Sequence, residues 1–444
     1  MKILIAGAGE VGSHLAKLLS KEDQEIIIVD SDVKRLLPLE SENLERYHGD
    51  PSSFQTLYAK EAGKTDLVIA VTPNEHQNIN SCSIAKHYGA KRTVARIDNF
   101  EYFKQEHSDF FEHIGVDELI YPEYLASQEV LNALKHTWTR NWFELFDGEL
   151  VVVGVKLRKE AEIIGKTLRD MTAISGVMHI SAIKRNKEII IPRGNDVVEL
   201  NDIVYIATTK PHIDDVVRIC NKTSTNVKKV LIMGGGRITR QIVSENSPYQ
   251  FTMIEKDREV ADQLSELYPE CDIVCGDGCD PDLWANPSLG LMSHDAFVAL
   301  TESSEVNILA CIAAKGLHIK KTIAEVENLQ FINEAESLNI GTVINKKLLA
   351  SSAIFQILLD ADTSTSKCLA LSDAEVAEII VKENSKVTHS KIKELKLPDD
   401  MTIAGLVRDG KGMLVKGDTR LHAGDHVIVF CLRGALYKVE KLFS

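Results

Sequence analysis

Short runs that read as strands recur along the first part of the chain, near 2–6, 25–30, 45–48, 67–71, 92–97 and 117–121, and all but 45–48 draw on Ile, Val, Leu or Ala. The stretches between them carry apolar residues at helical spacing, as with Leu15, Leu18 and Leu19 after the first run. Strands that are apolar on both faces, alternating with amphipathic helices, form a parallel sheet covered by helices. The pattern therefore predicts an α/β unit over 1–122. A smaller β-rich unit follows over 140–223, opened by Val151–Leu157, with Ile203–Ala207 near its end. Between the two, residues 122–140 carry Leu125, Val130, Leu131 and Leu134 at helical spacing and read as a helical bridge.

The whole pattern then repeats. Lys2-Ile3-Leu4-Ile5-Ala6-Gly7-Ala8-Gly9 returns as Lys229-Val230-Leu231-Ile232-Met233-Gly234-Gly235-Gly236. In the same order, with the offset shifting by only a residue or two, Asp30 answers to Glu255, Gly49-Asp50 to Gly276-Asp277, Thr72 to Thr301, Asn78 to Asn307 and Arg96 to Glu325. Gly194 and Asp202 of the small unit match Gly417 and Asp425. An internal repeat of this length resets the domain count. The expected order is large–small–large–small, with segments 1–122, 140–223, 227–346 and 364–444. Residues 346–362 form the second bridge, and 223–226 and 363–366 are flexible joints.

Charge narrows the partners. Sixty-five acids against 51 bases give a formal net charge of −14, which repels a phosphate backbone and disfavours nucleic acid. No apolar run approaches the ~18–20 residues of a spanning helix, and the apolar run at 2–6 leads straight into a glycine motif, so neither an anchor nor a signal segment is expected. A cytoplasmic chain whose eight cysteines are free thiols is expected.

The candidate chemistry lies in the glycine turns. Gly7-Ala8-Gly9-Glu10-Val11-Gly12 follows a strand and opens a helix, the setting in which such a turn cradles a dinucleotide diphosphate. Asp30, at what reads as an exposed end of the second strand, can accept ribose hydroxyls and would repel a 2′-phosphate, favouring NAD over NADP. The second turn, Gly234-Gly235-Gly236-Arg237-Ile238-Thr239, has Thr239 in place of the third glycine, which weakens the site, while Glu255 keeps the ribose-type acid. Glu10 and Arg96 exchange sign with Arg237 and Glu325. Either each copy holds an acid–base pair between its turn and fifth strand, or Arg237 receives the terminal phosphate of ATP or ADP at the second site while the first takes NAD(H). Asp50, Asp277, Thr72-Pro73 and Thr301-Glu302 fall at strand ends, where open α/β sheets bind ligands.

Other signals fail. Ile164-Gly165-Lys166-Thr167 lacks the earlier glycine of a phosphate loop, since Glu160 stands there. Cys271, Cys275 and Cys279 have no CxxC pair or histidine partner at zinc spacing. No catalytic array emerges.

The ordered set of glycine turn, Asp30, Thr72…Asn78, Ala95-Arg96-Ile97 and a small β-rich unit, all given twice, resembles the TrkA family. These are cytosolic regulatory, NAD-binding subunits of Trk-type potassium uptake systems, made of two tandem RCK modules. The resemblance implies two Rossmann-like parallel-sheet domains, each followed by a small α+β RCK C-terminal domain. It implies NAD(H) and ATP/ADP as ligands, and a homo-oligomeric ring of modules beneath a membrane potassium-translocating subunit. The chain would then sit on the inner face of the cell membrane through that partner and catalyse no reaction. Thr239, Pro73 where the family often has Asn, and Glu325 in place of an arginine-like residue depart from the family pattern. The rival readings are an NAD-dependent oxidoreductase, which the same turn and acid would serve, and a nucleotide-gated regulator of another transporter.

Overall fold

The computed structural model describes residues 1–444 except 21–23, 41, 172–175, 187, 361–364, 371–373, 384, 396, 433–441 and 444. The expected joint at 363–366 therefore lies partly outside the described residues.

The first runs become β1 (Lys2–Ala6), β2 (Glu25–Asp30), β3 (Glu45–His48), β4 (Leu67–Ala70), β5 (Arg92–Arg96) and β6 (Glu118–Ile120). They pair in parallel in the order β3-β2-β1-β4-β5-β6. This is the doubly wound order, whose reversal between β1 and β4 opens a crevice at the strands' carboxyl ends. Ile3, Leu4, Ile5 and Ala6 are all fully buried, as a central strand covered on both faces requires.

The first small domain is antiparallel. Strands β7 (Asn141–Leu145), β8 (Leu150–Lys156), β9 (Met178–Arg185), β10 (Glu188–Ile190) and β11 (Ile203–Thr209) run in the order β10-β9-β11-β8-β7. Val151, Val153 and Val155 alternate onto one face and pack with Trp142, Ile206, Val216 and Ile219. The second Rossmann-like sheet repeats the first: β12 (Lys229–Met233), β13 (Gln250–Glu255), β14 (Asp272–Cys275), β15 (Ala296–Ala299), β16 (Lys321–Glu325) and β17 (Thr342–Ile344) pair in parallel in the order β14-β13-β12-β15-β16-β17. The second small domain carries β18 (Thr365–Ala370), β19 (Ala374–Ile380), β20 (Met401–Arg408), β21 (Lys411–Leu414) and β22 (His426–Leu432), with antiparallel β18/β19 and β20/β21 pairs.

The aligned pairs of the small domains have a structural purpose. Arg185 grips Asp202 through Nε and Nη2 at 3.0 and 2.9 Å, and Arg408 grips Asp425 in the same way at 2.8 and 2.7 Å. Both carboxylates are buried, and each also accepts a backbone N–H, from Glu199 and His422 respectively. Burial alone would raise Asp425, but the Arg408 fork and the His422 N–H carry it below the usual carboxylate range.

The chain gathers into two compact units that interleave its halves. The first joins Met1–Leu125 with Lys347–Lys386 and Cys431–Ser444, and the second joins Ala126–Lys346 with Val387–Phe430. The bridges are helices, Pro122–Lys135 and Lys346–Asp360. In the first unit the second bridge lies on the first Rossmann-like domain: Arg92 Nη1 donates to the Ile357 carbonyl at 2.8 Å, Lys347 pairs with Glu10, and Ile354 and Phe355 are buried. In the second unit the first bridge joins the second Rossmann-like domain, Gln128 Nε2 donating to Glu245 at 3.1 Å, with Val130 fully buried.

At the end of the first bridge, the ring of His136 stacks on Trp142 with centroids 3.6 Å apart and planes 4° from parallel. Its Nε2 is buried with no hydrogen-bond partner among the described residues. Burial, and secondly the nearby Lys135 charge, push the imidazole down to about 4. The unfolded chain then binds a proton that the folded chain refuses. Stability is expected to fall as pH drops from about 6.5 towards 4, read as a falling urea midpoint. His136→Phe, which keeps the stack and removes this titration, should make that dependence shallower, the remainder coming in part from His179, whose imidazole burial likewise pushes down to about 4.

Candidate functional site

The first glycine turn is fixed by backbone geometry. Gly7 has φ +110°, and a β-carbon there would sit 2.9 Å from the Thr72 nitrogen. A β-carbon on Gly12 would lie 1.9 Å from the Gly7 carbonyl oxygen, so strand and helix meet at a spacing only glycine allows. At Gly9, by contrast, such an atom would meet nothing within 4 Å. The middle of the turn therefore borders open space, as a diphosphate approach requires. Ala8 and Val11 are buried, which leaves the backbone N–H groups at the start of the Glu10–Leu19 helix as the polar face of the turn.

Asp30 holds this turn in shape. Its Oδ2 accepts the Ala8 N–H at 2.6 Å and its Oδ1 the Asp32 N–H at 2.8 Å. The residue is 3% exposed, and Arg35 lies 3.8 Å from Oδ2. The expectation of an exposed strand end is thus corrected: the carboxylate ties the end of β2 to the glycine turn, and a ribose would share oxygens already accepting backbone donors. Asp30→Ala is expected to lower unfolding stability by about 2 kcal/mol, because two N–H groups lose a charged acceptor. Urea denaturation measures this, and an unchanged midpoint would refute it.

The second turn reaches the same form by another route. Gly234 has φ +104°, Gly235 N–H donates to Glu255 Oε2 at 2.7 Å, and Asp257 N–H donates to Oε1 at 2.8 Å. Thr239 is fully buried and its hydroxyl donates to the Gly234 carbonyl at 2.5 Å. The contact that forbids a side chain at Gly12 is here made as a hydrogen bond, so the missing glycine does not close the turn. Gly236 borders open space as Gly9 does, and Ile238 is buried like Val11. A cleft of about 840 Å³ opens over this turn, lined by Gly235, Arg237, Glu255, Asp277, Thr301 and Glu302 among others. Its volume lies within the range of about 300–1,000 Å³ that small-molecule sites occupy.

A duplicated asparagine bracket sets the strand ends. Asn78 Oδ1 accepts the Thr72 N–H and hydroxyl at 2.8 and 2.7 Å, while its Nδ2 donates to the carbonyls of Thr72 and Arg96 at 3.0 and 2.9 Å. Asn307 does the same with Thr301 at 3.0 and 2.7 Å, and with the carbonyls of Thr301 and Glu325, both at 2.9 Å. The hydroxyls of Thr72 and Thr301 thus donate to the bracket. Pro73 is exposed beside it, and the next residue, Asn74, caps the following helix.

The remaining candidates divide. Asp50 is exposed, and hydrogen bonds from the Ser52 backbone and hydroxyl hold it below the usual range. Asp277 pairs with Lys256 at 2.8 Å, which lowers it likewise, and it lines the second cleft. Arg96 binds Asp98 at 3.0 Å, and its Nε is buried with no partner among the described residues. Glu10 pairs with Lys347, so in the first copy turn and fifth strand do not pair with each other. Glu325 is 4% exposed, with Lys346 3.6 Å away. Arg240 and Lys256, which also line the second cleft, escaped sequence reasoning because their counterparts in the first copy carry no like charge. The bracket was detectable in principle, since the asparagine stands six residues after the threonine in both copies.

The "Trk system potassium uptake protein TrkA" of Haemophilus influenzae is 28% identical to this chain, the alignment covering 100% of the chain and 99% of that protein. The "Trk system potassium uptake protein TrkA homolog" of Archaeoglobus fulgidus is also 28% identical, with both chains covered completely. Among solved structures, the GsuK RCK domain aligns with a TM-score of 0.60 at 15% identity, covering 100% of this chain and 94% of that one. The GsuK channel bound to NAD aligns at 0.59 and 15% identity, covering 100% and 78%. At that identity the likeness is one of fold. The TrkA-N domain model matches residues 3–122 and 230–346 and the TrkA-C domain model matches 152–221 and 376–444, and the chain accordingly belongs to the TrkA family.

Proposed function

We propose that this chain is the nucleotide-sensing regulatory subunit of a Trk-type potassium uptake system, binding NAD(H) at the first glycine turn and ATP or ADP at the second. In this reading the segments 1–122, 140–223, 227–346 and 364–444 are its working modules. The observation that carries it is the pair of open glycine turns, each tied to a strand-end carboxylate, in a chain that aligns end to end with Trk potassium uptake proteins. The charge at the two mouths supports the division of ligands. Glu10 opens the first helix, whereas Arg237, Arg240 and Lys256 line the second cleft, where the phosphates of a nucleotide need positive charge.

Regulation needs no bond made or broken, and no residue is given a catalytic role. A nucleotide that fits one arrangement of an assembly better than another shifts their populations by its differential affinity. The assembly is a ring of modules under a membrane potassium-translocating partner. No helix among the described residues is long and apolar enough to cross a membrane, and attachment to the inner face of the membrane runs through that partner.

Calorimetric titration with NADH and with ATP, each repeated with the other saturating, tests the reading. Two independent sites per chain are expected. Competition for one site would overturn the division of ligands, and turnover of NADH with a small carbonyl compound would overturn the regulatory assignment.

A further inference from the structure

The second unit contains another cavity, distinct from the glycine clefts, of about 200 Å³. It lies where the end of the first bridge, the end of β8 and the second Rossmann-like domain come together. Arg140, Lys156, Arg158, Lys222, Lys315 and Lys321 all line it, in a chain whose net charge is −14.

The cations meet neutral acceptors. Arg140 Nη2 donates to Asn339 Oδ1 at 3.0 Å, and Arg158 donates to the same oxygen. Lys315 donates to the Asn339 carbonyl at 2.5 Å, Lys156 to the Glu336 carbonyl at 2.9 Å, and Lys222 to the Lys156 carbonyl at 2.6 Å. Lys321, 5% exposed, donates to the Thr342 hydroxyl at 3.0 Å. Arg140 Nη1 is buried with no partner among the described residues.

The nearby carboxylates are too few to neutralise this charge. Glu336 is engaged by Lys184 at 2.5 Å while it also acts on Arg140 and Lys156. Glu129 faces Lys321, but burial raises it to about 7. Glu160 acts on Lys222 only at a distance. Burial first, and then mutual repulsion, lower Lys156 and Lys315 to about 8 and Lys321 to about 7. So many buried and half-buried cations with so few carboxylates among them are costly unless an anion completes the site.

We propose that this cavity binds a compact phosphate polyanion of about pyrophosphate size, which clamps the first small domain to the second Rossmann-like domain. The volume falls below the range of about 300–1,000 Å³ for whole small-molecule sites, so it takes linked phosphate groups and excludes a base and sugar. The occupant is either free inorganic polyphosphate or the phosphate tail of a larger molecule.

The test is calorimetric titration of the full chain with inorganic pyrophosphate, alongside Arg158→Gln, Lys320→Glu and Arg237→Glu variants. Lys320 is an exposed residue of the cavity lining, so reversing its charge leaves the core intact. The expected result is saturable binding at one site per chain, at least tenfold weaker in Arg158→Gln and Lys320→Glu and unchanged in Arg237→Glu. Pyrophosphate should also raise the melting temperature of the parent more than that of those two variants. Competition by ATP would identify a nucleotide's phosphate tail as the occupant, and its absence would identify free polyphosphate; both support the site. No saturable binding, equal binding by all variants, or loss only in Arg237→Glu would overturn it.

Discussion

Gly12→Thr, which copies into the first turn the residue that the second turn carries, is expected to destabilise the protein by about 3 kcal/mol and to abolish NADH binding at the first site. A β-carbon at Gly12 would lie 1.9 Å from the Gly7 carbonyl oxygen, and the next nearest atom is the Gly7 carbonyl carbon at 3.0 Å. Neither can yield, because Gly7 N–H is bonded to the Val29 carbonyl and Ala8 is bonded to Asp30. The helix would have to retreat, carrying with it the N–H groups at its start that form the polar face of the turn. In the second copy Thr239 already occupies this place, bonded to Gly234. Urea unfolding and NADH calorimetry on the same variant decide the matter. A variant as stable as the parent would show that the first turn relaxes to the spacing of the second.

Arg237→Glu is expected to weaken ATP binding at the second site about 100-fold while leaving NADH binding at the first unchanged. Arg237 is exposed on the wall of the second cleft, at the first position of the Arg237–Ser244 helix. A charge-assisted hydrogen bond to phosphate is worth about 1.5–3 kcal/mol, and placing a carboxylate there adds repulsion to the loss. The total, about 3 kcal/mol, corresponds to the stated change in affinity. Since the residue is exposed, the melting temperature should hardly move. Unchanged ATP affinity would refute the assignment of the second site.

The strand pattern was legible because runs such as Ile3-Leu4-Ile5-Ala6 have a single physical solution, a strand covered on both faces. The expected runs 2–6, 25–30 and 45–48 coincide with β1, β2 and β3. What Asp30 does was less legible. Its position past the glycine turn signals a ribose acid, but the same position also suits a carboxylate that holds the turn, and only three dimensions show the Ala8 N–H at 2.6 Å. Thr239 looked like damage because the rule for the third glycine concerns steric bulk, whereas its hydroxyl turns the close approach into a bond. The basic cavity was invisible for a different reason. Arg140 stands just before β7, Lys156 ends β8 and Lys321 opens β16, with no spacing in the sequence to betray that they meet.

Each bridging helix lies with the Rossmann-like domain of the opposite copy, so the two halves have traded arms within one polypeptide. Such an exchange is what a domain-swapped dimer does between chains. Fusion of the halves makes that partnership permanent and fixes its ratio at one to one, independent of concentration. A half cut at residue 226 would surrender the helix that packs on its Rossmann-like domain and bare the buried residues of its own bridge, and it would have to seek a second half to replace both. Any closed assembly of this chain therefore grows by whole pairs and contains an even number of modules, with the two kinds equally represented.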